Sequence, residues 1–370
     1  MVLIDYSHLQ MRNLYIALGN ARPKKKNGKF ITEEFIKMFY HQMLMSFNLI
    51  SKEFKDYGEI VVCIDARTYW RKDIYPAFKG HRKKDRDESD VDFDEFFKYA
   101  TDFVQILKTA FPYTVIEVPK AEADDIIGVL AKEYGQTEKV IAVSSDKDMK
   151  QILEDGAELY DPIKKKHIRL SAEEYKAWKF EHILCGDEGD NIPHIKRNTQ
   201  FTENYLKYLK AENIHLKDEK QANGYVKTIV EQYGELSIGE TLFAKYDVWK
   251  TTKKDGTFKD IWKPTPFGPA GAIKFVGNGK EDLVASLKEN KLFAEHFDRN
   301  KKLVLNTYIP QWLRDDIKQA YKDEERVYDS KEMMSFIMKH NLTQHMMNIT
   351  TFELVAQRMH PTTSSTDEWL

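Results

Sequence analysis

The chain of 370 residues carries 57 Lys and Arg against 59 Asp and Glu, a formal net charge of −2. This balance argues against a simple basic protein that coats nucleic acid, but it leaves room for separate acidic and basic patches. Hydrophobic residues make up 42%, enough for one large α/β domain or two smaller ones. No apolar stretch reaches membrane-span length, and the cysteines, Cys63 and Cys185, lack metal-ligand spacing. We expect a soluble cytoplasmic protein, and a monomer.

Three apolar runs end in an aspartate, over residues 2–5, 59–65 and 139–146. Continuous runs of this length predict strands buried on both faces of a parallel sheet. Apolar residues at helical spacing predict helices over 31–52, 93–111, 121–134 and 171–184. The last of these begins with a capping box, Ser171 with Glu174. This alternation predicts an α/β fold with a central, mostly parallel sheet flanked by helices and with ligands at the carboxyl ends of the strands.

The strand signal fades beyond about residue 186. Residues 205–230 and 283–312 show helical patterns, whereas 251–271 contain the Pro and Gly residues of a loop. The C-terminal third is therefore predicted to be mostly helical. The last ten residues, 361–370, are polar and end in Trp369-Leu370, which is typical of a chain terminus without fixed structure.

Acidic residues gather where the predicted strands end. Asp5, Asp65 and Asp146 each close an apolar run, and any one of them alone has an ordinary explanation as a helix cap. Parallel strands, however, bring their carboxyl ends to one edge of the sheet. Further acids follow in loops expected at that edge: Glu122, Asp124, Asp125, Asp148, Asp187 and Asp190.

So many carboxylates in one cleft would repel each other and raise each other's pKa unless a cation were bound. Oxygen ligands alone favour Mg²⁺ or Mn²⁺, and the chain has no His or Cys set suited to zinc. Two such ions activate a water and stabilise the leaving oxygen of a phosphodiester. The acids therefore predict a metal-dependent nuclease with two Mg²⁺ ions, for which Mn²⁺ can substitute.

Two basic stretches complement the acids. Residues 22–29 are cationic, and a solvated loop is an equally good interpretation of them. Residues 71–86 mix Lys and Arg with Tyr75 and Phe78, directly after Tyr69 and Trp70. Basic and aromatic residues interleaved in this way suit a surface that follows a nucleic-acid backbone and stacks on bases, although an amphipathic surface helix gives the same pattern.

Three motifs carry a resemblance to a known family: Ala121-Glu122-Ala123-Asp124-Asp125, Ser144-Ser145-Asp146-Lys147-Asp148, and Gly186-Asp187 followed by Asp190-Asn191-Ile192-Pro193. In order and spacing they resemble the 5′-nuclease (flap endonuclease) superfamily, and the similarity covers residues 2–352. The resemblance implies a nuclease core over 1–190 with a helical arch at about 79–100. It also implies a helical helix-hairpin-helix region that binds duplex over 191–352, an insertion at about 200–260, and a tail at 353–370.

The resemblance also implies roles for individual residues. Asp5, Asp65, Glu122 and Asp124, with Asp125 close by, would surround the first metal, and Asp146, Asp148, Asp187 and Asp190 the second. Asp124 and Asp146 would be essential for catalysis. Lys79 and Arg82 would contact the scissile phosphate, with Arg71 as a further phosphate contact. Other nucleic-acid contacts would come from Lys72, Phe78, Lys83, Lys84, Lys196 and Arg197.

The function implied is that of a structure-specific 5′ to 3′ exonuclease and flap endonuclease that removes RNA primers or flaps during DNA replication. Branched or nicked DNA and RNA–DNA duplex would be its substrates, and a sliding clamp or a single-strand-binding protein a partner of the tail. The sequence departs from the family pattern in two places. At Phe78 the family frequently has Tyr. Residues 192–197 lack the glycines that usually mark the helix-hairpin-helix, whose second half residues 267–273 would supply.

Two other functions are open to the same sequence. One is a non-catalytic nucleic-acid-binding module that kept the fold, although such a module would be expected to have lost some of the acids. The other is a small-molecule phosphatase, which would need an Asp-x-Asp nucleophile after the first strand, where the chain has Asp5-Tyr6-Ser7.

Overall fold

The computed structural model describes residues 1–21, 32–195, 268–276 and 291–359. The chain divides into two compact units, Met1–Tyr175 with Lys302–Leu370, and Lys176–Lys301. Several predictions lie outside the described residues: the basic loop 22–29, Lys196 and Arg197, the helix 205–230, the insertion 200–260 and the terminal segment 361–370. Among the described helices, none is long and apolar enough to cross a membrane.

The first unit is built on a six-stranded sheet in the order β3-β2-β1-β4-β5-β6. β1 to β5 are parallel, and only β6 pairs antiparallel with its neighbour. The predicted mostly parallel α/β sheet is therefore confirmed. The strands are β1 Val2–Asp5, β2 Ile60–Ile64, β3 Thr114–Glu117, β4 Ile141–Val143, β5 Glu158–Asp161 and β6 Lys166–Ile168.

The apolar runs predicted β1, β2 and β4, but three strands had no prediction. β3 has only three buried residues, β5 alternates buried with half-buried positions, and β6 is largely exposed. None of them forms the long apolar run that marks a strand buried on both faces. They are strands because the strands beside them offer backbone hydrogen-bonding partners, which is a tertiary effect.

The described helices belong to both units. Before the long 3-10 helix Lys147–Asp155 they are α1 Tyr6–Ala21, α2 Glu33–Glu53, α3 Arg71–Ile74, α4 Arg82–Asp87, α5 Phe93–Thr109 and α6 Ala123–Tyr134. After it come α7 Ala172–Cys185, α8 Pro269–Val276, α9 Lys291–Val304, α10 Gln311–Asp323, α11 Ser330–Lys339 and α12 Ile349–Met359. α2, α5, α6 and α7 confirm the predicted helices. The capping box is present, since the Glu174 N–H donates to Ser171 Oγ (3.1 Å) and the Ser171 N–H to Glu174 Oε2 (2.8 Å).

The described part of the helix predicted over 283–312, from residue 291 onwards, is instead two helices. α9 ends at Val304, a short 3-10 turn covers Asn306–Tyr308, and Pro310 stands directly before the first residue of α10. A proline has no N–H to donate to the preceding turn, so it begins a helix readily but cannot continue one.

Side chains of the strands alternate between two cores. Val2 and Ile4 point into a core formed with α1, α2, α5, α11 and α12. Leu3 points into the opposite core, formed with α6 and α10. Residues 302–359 thus belong to the unit of the sheet, whereas the sequence analysis assigned 191–352 to a separate helical region. The predicted tail from 353 also begins inside α12, where Val355 and Met359 are buried.

The described part of the second unit centres on the turn after α7. Gly186 has φ +67°, and a Cβ there would lie 2.3 Å from the Ile192 carbonyl oxygen, so only glycine fits. Asp187 forms an isolated antiparallel bridge with Ile192. Asn300 holds the same turn, because its Nδ2 donates to the carbonyl oxygens of Ile183 (2.9 Å) and Pro193 (3.0 Å).

One carboxylate ties α10 to the other end of the sheet. Glu59, just before β2, accepts hydrogen bonds from Thr114 Oγ1 (2.7 Å), from Arg326 Nε (3.0 Å) and from the Tyr321 hydroxyl. Burial alone would raise the pKa of Glu59, but these bonds, led by that of Arg326, lower it below its usual value.

We predict that Glu59→Gln lowers the free energy of unfolding at pH 7 by about 1–3 kcal/mol, because a charge-assisted network loses its charge. A depressed carboxyl pKa stabilises the folded chain above the pKa of the unfolded state, and this contribution is lost as the pH falls through the folded-state pKa. The difference between variant and wild type should therefore shrink between pH 7 and pH 3.5 in urea denaturation. The exposed Glu53→Gln is the control. A difference that does not change with pH would contradict the assignment.

Candidate metal centre

The register of the sheet brings three predicted acids to one edge. Asp5 is level with Cys63 of β2, and Ile4 is level with Val143 of β4. Asp65 and Asp146 follow just after those two strands, so all three lie past the same carboxyl edge. The strand order reverses between β1 and β4, and ligands of doubly wound sheets bind in the crevice at such a switch point.

Ser144 fixes two of these acids relative to each other. It is fully buried; its Oγ donates to Asp5 Oδ2 (3.0 Å) and accepts from the Asp146 N–H (3.1 Å). The other oxygen of Asp5 accepts from the His8 N–H (2.9 Å). Asp146 caps the long 3-10 helix, because its Oδ1 accepts from the Asp148 N–H (2.8 Å).

The start of α6 adds the next group of acids. Asp65 Oδ1 accepts from the Ala123 N–H (2.7 Å), and Asp125 Oδ2 accepts from the Glu122 N–H (2.9 Å). These bonds satisfy amides at a helix N-terminus, where carboxylates are favourable. They also bring Asp124, on the first turn of α6, to the edge that carries Asp5 and Asp146.

Four of the acids form one electrostatically strained group. Burial, then Asp65 and Asp146, raise the pKa of Asp5 to about 6. Burial, then Asp146 and Asp5, raise the pKa of Asp124 well above its usual range. In the group Asp5, Asp65, Asp124 and Asp146, repulsion between neighbouring carboxylates thus raises the pKa of two members, Asp5 and Asp124. Its donors are all carboxylate oxygens, so it fits a hard divalent cation such as Mg²⁺.

Glu122 and Asp125 are in a different electrostatic state. Arg71 Nη1 lies 2.7 Å from Glu122 Oε2 and 2.9 Å from Asp125 Oδ1, and Lys79 also pairs with Glu122. Burial would raise the pKa of Glu122, but Lys79 and Arg71 outweigh it and lower that pKa. Asp125 is fully buried and accepts a further bond from Trp70 Nε1 (3.0 Å). Burial nevertheless raises the pKa of Asp125, although Arg71 opposes it, so of these two acids only Glu122 has a lowered pKa. Both acids pair with a buried cation. Their ligation of a metal stays a prediction.

Two of the predicted nucleic-acid contacts have buried side chains in this structure. Arg71 is only 4% exposed, and its Nε donates to the Leu303 carbonyl oxygen (2.7 Å). Phe78 is 1% exposed and packs edge-on against Tyr69. A mixed basic and aromatic pattern does not reveal which of its side chains face inward. The contacts of Arg71 and Phe78 with nucleic acid stay predictions.

The other basic residues lie near the acids or on the surface. The Lys79 ammonium lies 5.4 Å from the ring centre of Tyr69 and 5.2 Å from that of Phe78, and its backbone has φ +53°. Left-handed backbone is uncommon outside glycine and clusters at functional sites. Arg82 begins α4 and is partly exposed, while Lys72 and Lys83 are exposed. The side chain of Lys84 lies outside the described residues.

The segment predicted to form an arch, residues 79–100, includes the beginning of a core helix. α4, Arg82–Asp87, and the turn after it fall inside it. From Phe93 onwards, however, the chain is the core helix α5, in which Phe93, Phe96 and Ala100 are buried. These apolar side chains pack in the first core and hold this part of the predicted arch against the sheet.

The acids predicted to hold a second metal are distributed over both units. Asp146 and Asp148 lie in the first unit, and Asp187 and Asp190 in the second. Asp187 caps a 3-10 turn, because its Oδ1 accepts from the Gly189 N–H (2.8 Å). The joint action of these four residues stays a prediction.

The structure also reveals residues at this edge that the sequence analysis gave no role. Ser144 is one. Asp161 is another: burial would raise its pKa, but bonds from Lys164, Ser145 and Ile163 lower it to about 2. Its oxygens are thus occupied by protein donors, so Asp161 supports the loop of Ser145 rather than adding to the strained group. The two consecutive serines before Asp146 were the sequence feature that could have indicated hydrogen bonds to nearby carboxylates.

Residues 1–181 match the family of the 5′-3′ exonuclease, N-terminal resolvase-like domain. The chain is 32% identical over 205 residues to Ribonuclease H of Enterobacteria phage T4, an alignment covering 54% of this chain and 64% of that protein. It is 28% identical over 200 residues to the Flap endonuclease of Escherichia phage T5, covering 50% and 66% respectively. Both alignments span just under two thirds of the relative's length.

Among solved structures, the T5 D15 protein co-crystallised with metal ions aligns with a TM-score of 0.48 and 19% identity, over 87% of this chain and 97% of that one. The sequence matches confirm the resemblance found in the motifs. Residues 1–181, just under half of the chain, match the 5′-3′ exonuclease N-terminal domain, and the similarity to the 5′-nuclease superfamily rests on this part.

We predict that Asp5→Asn stabilises the metal-free protein at pH 7.5 by roughly 1–3 kcal/mol, because it removes one charge from the strained group. A carboxyl pKa raised to about 6 destabilises the folded chain above that pH, and the penalty disappears as the pH falls towards the unfolded-state value. The gain should therefore vanish near pH 4.5 in thermal unfolding with EDTA.

Adding Mg²⁺ at pH 7.5 should reverse the order of the two proteins, because only the wild type keeps the full ligand set. The exposed Asp56→Asn is the control and should unfold like the wild type in both conditions. An Asp5→Asn variant that is less stable than wild type in EDTA at pH 7.5 would show that the group is not strained.

Proposed function

We propose that this chain is a structure-specific 5′ nuclease that hydrolyses phosphodiester bonds with two Mg²⁺ ions, acting both as a 5′ to 3′ exonuclease and as a flap endonuclease. The observation that carries the proposal is the strained group Asp5, Asp65, Asp124 and Asp146 at the switch point of the sheet. The match of residues 1–181 to the 5′-3′ exonuclease N-terminal domain supports the same reaction class.

Asp5, Asp65, Asp124 and Asp146 would hold the first ion, with Glu122 at its border, and Asp148, Asp187 and Asp190 would join Asp146 around the second. When bound, such ions activate a water and stabilise the leaving oxygen. The protein's own part is orientation. Ser144 fixes the carboxylate of Asp5, and Arg71 fixes Glu122 and Asp125.

Lys79 is proposed to contact the scissile phosphate. Its ammonium pairs with Glu122. When substrate binds, the ammonium would leave this carboxylate and pair with a phosphate oxygen. Arg82, three residues further along, would contact the same phosphate. Lys72 and Lys83 are exposed and would follow the backbone of the strand, contributing affinity rather than chemistry.

The proposed substrates are branched or nicked DNA and RNA–DNA duplex, and the proposed role is the removal of RNA primers or flaps in replication. The relatives named Ribonuclease H and Flap endonuclease support this choice. A cytoplasmic location, a monomeric state, duplex binding by residues within 191–352 and a clamp or single-strand-binding partner for the tail belong to the same proposal.

The decisive experiment digests end-labelled flap, nicked and RNA-primed duplexes with and without Mg²⁺, followed by sizing of the products. Asp124→Asn and Asp146→Asn should each lower cleavage by at least about 100-fold, because several kcal/mol of charge stabilisation are lost. Both should still bind the flap substrate. The exposed Asp56→Asn should cut like wild type. Substrate binding without cleavage by the wild type would instead favour a non-catalytic nucleic-acid-binding module.

A second measurement isolates Lys79. Lys79→Met should lower kcat on the flap substrate by about 100-fold with a smaller change in KM, because a charge that stabilises the transition state is removed. Lys52→Met, at the exposed end of α2, is the matched control. Thermal unfolding of both variants checks that folding is intact. A Lys79→Met variant that loses affinity but keeps kcat would show that this lysine only binds substrate.

A further inference from the structure

The end of α9 is held by side chains from the nuclease core. The last carbonyl groups of a helix have no partner inside the helix. Arg71 Nε donates to the Leu303 carbonyl oxygen (2.7 Å), and Gln151 Nε2 donates to the Val304 carbonyl oxygen (2.9 Å). We name residues 303–306 the C-terminal strap.

Gln151 bonds the strap at both ends of its amide. Besides donating to Val304, its Oε1 accepts from the Asn306 N–H (2.8 Å), and the side chain is only 6% exposed. Gln151 lies on the long 3-10 helix, whose N-cap is Asp146. The strap is therefore fixed to the element that begins at Asp146.

The strap also lies directly against α6. A Cβ at Gly128, in the middle of that helix, would come within 2.4 Å of Asn306 Nδ2 and 3.0 Å of Asn306 Cγ. Glycine inside a helix costs about 1 kcal/mol relative to alanine. Glycine is accommodated here for a steric reason, because the absence of a Cβ lets the side chain of Asn306 approach the helix backbone.

α6 carries Glu122, Asp124 and Asp125, and the long 3-10 helix starts at Asp146. The strap contacts both elements, and Arg71 joins it to Glu122 and Asp125 directly. Carboxylates that repel each other need such support, because a metal site requires its ligands within about 0.5 Å of the right geometry.

We propose that the C-terminal strap is a positioning element of the metal centre, setting the distance between the acids of α6 and Asp146. This inference rests on the proposed function. It means that the metal site depends on residues outside the matched domain 1–181. The strap follows Glu122 by more than 180 residues in the chain.

The test is the affinity of the full-length protein for Mn²⁺ alone, by isothermal titration calorimetry well below the unfolding temperature. Gly128→Ala should weaken binding by about 10-fold or more, as loss of support around ligands typically does. The double variant Gly128→Ala with Asn306→Ala should recover wild-type affinity, because it frees the space that the new Cβ needs. Its thermal stability should also recover, helped by the better helix former at 128.

Gln151→Met is an independent variant, which keeps the volume of the side chain but removes both strap bonds. It should also weaken Mn²⁺ binding by about 10-fold. Gln319→Met, on the exposed face of α10, is the matched control and should leave both affinity and stability unchanged.

A merely structural strap would give a different pattern. If Gly128→Ala and Gln151→Met lower the unfolding temperature but bind Mn²⁺ like wild type, the proposal is overturned. If Gly128→Ala does not fold, Gln151→Met and the double variant still decide. Absence of Mn²⁺ binding by the wild type would instead overturn the proposed function, and this inference with it.

Discussion

Repulsion among buried carboxylates is the main physical constraint on the carboxyl edge of the sheet. Asp5 is buried in the sheet edge, and the pKa values of Asp5 and Asp124 are raised mainly by burial and by neighbouring acids. Such a group is unfavourable in a metal-free folded chain and becomes favourable only with a bound cation. The surrounding fold therefore has to hold these side chains in place against their own electrostatics. Three kinds of support do so: backbone amides, buried hydroxyls and buried cations.

Two of the acids pair with buried cations. Glu122 and Asp125 pair with Arg71, and Glu122 also with Lys79, so these two acids have counter-charges in the metal-free protein. In the strained group, by contrast, neighbouring acids are among the largest causes that raise the pKa of Asp5 and the pKa of Asp124. A cation bound there would relieve this repulsion. Burial of Arg71 serves the paired acids, because a guanidinium in the core can fix two carboxylates at once.

The C-terminal part of the chain completes this arrangement. α10 covers α6 on one face of the sheet, whereas α11 and α12 pack with α2 and α5 on the other. Glu59 anchors the end of α10 near the amino end of β2, and the strap anchors its beginning near the acids. The helix that bears Glu122, Asp124 and Asp125 is thus enclosed between the sheet and a segment distant in sequence. Stability of the fold and geometry of the site therefore draw on the same contacts.

The sequence by itself determined β1, β2 and β4, the helices α2, α5, α6 and α7, and the gathering of Asp5, Asp65, Asp124 and Asp146. These follow from local periodicity and from the rule that parallel strands end at one edge, and the motifs carried the resemblance to the 5′-nuclease superfamily. Only the tertiary structure decided that Arg71 and Phe78 face inward, that α5 begins at Phe93 in the core, and that residues 302–359 pack on the sheet. Burial of a side chain depends on which distant segment covers it, as Asn306 covers Gly128, and no local pattern in the chain records that partner.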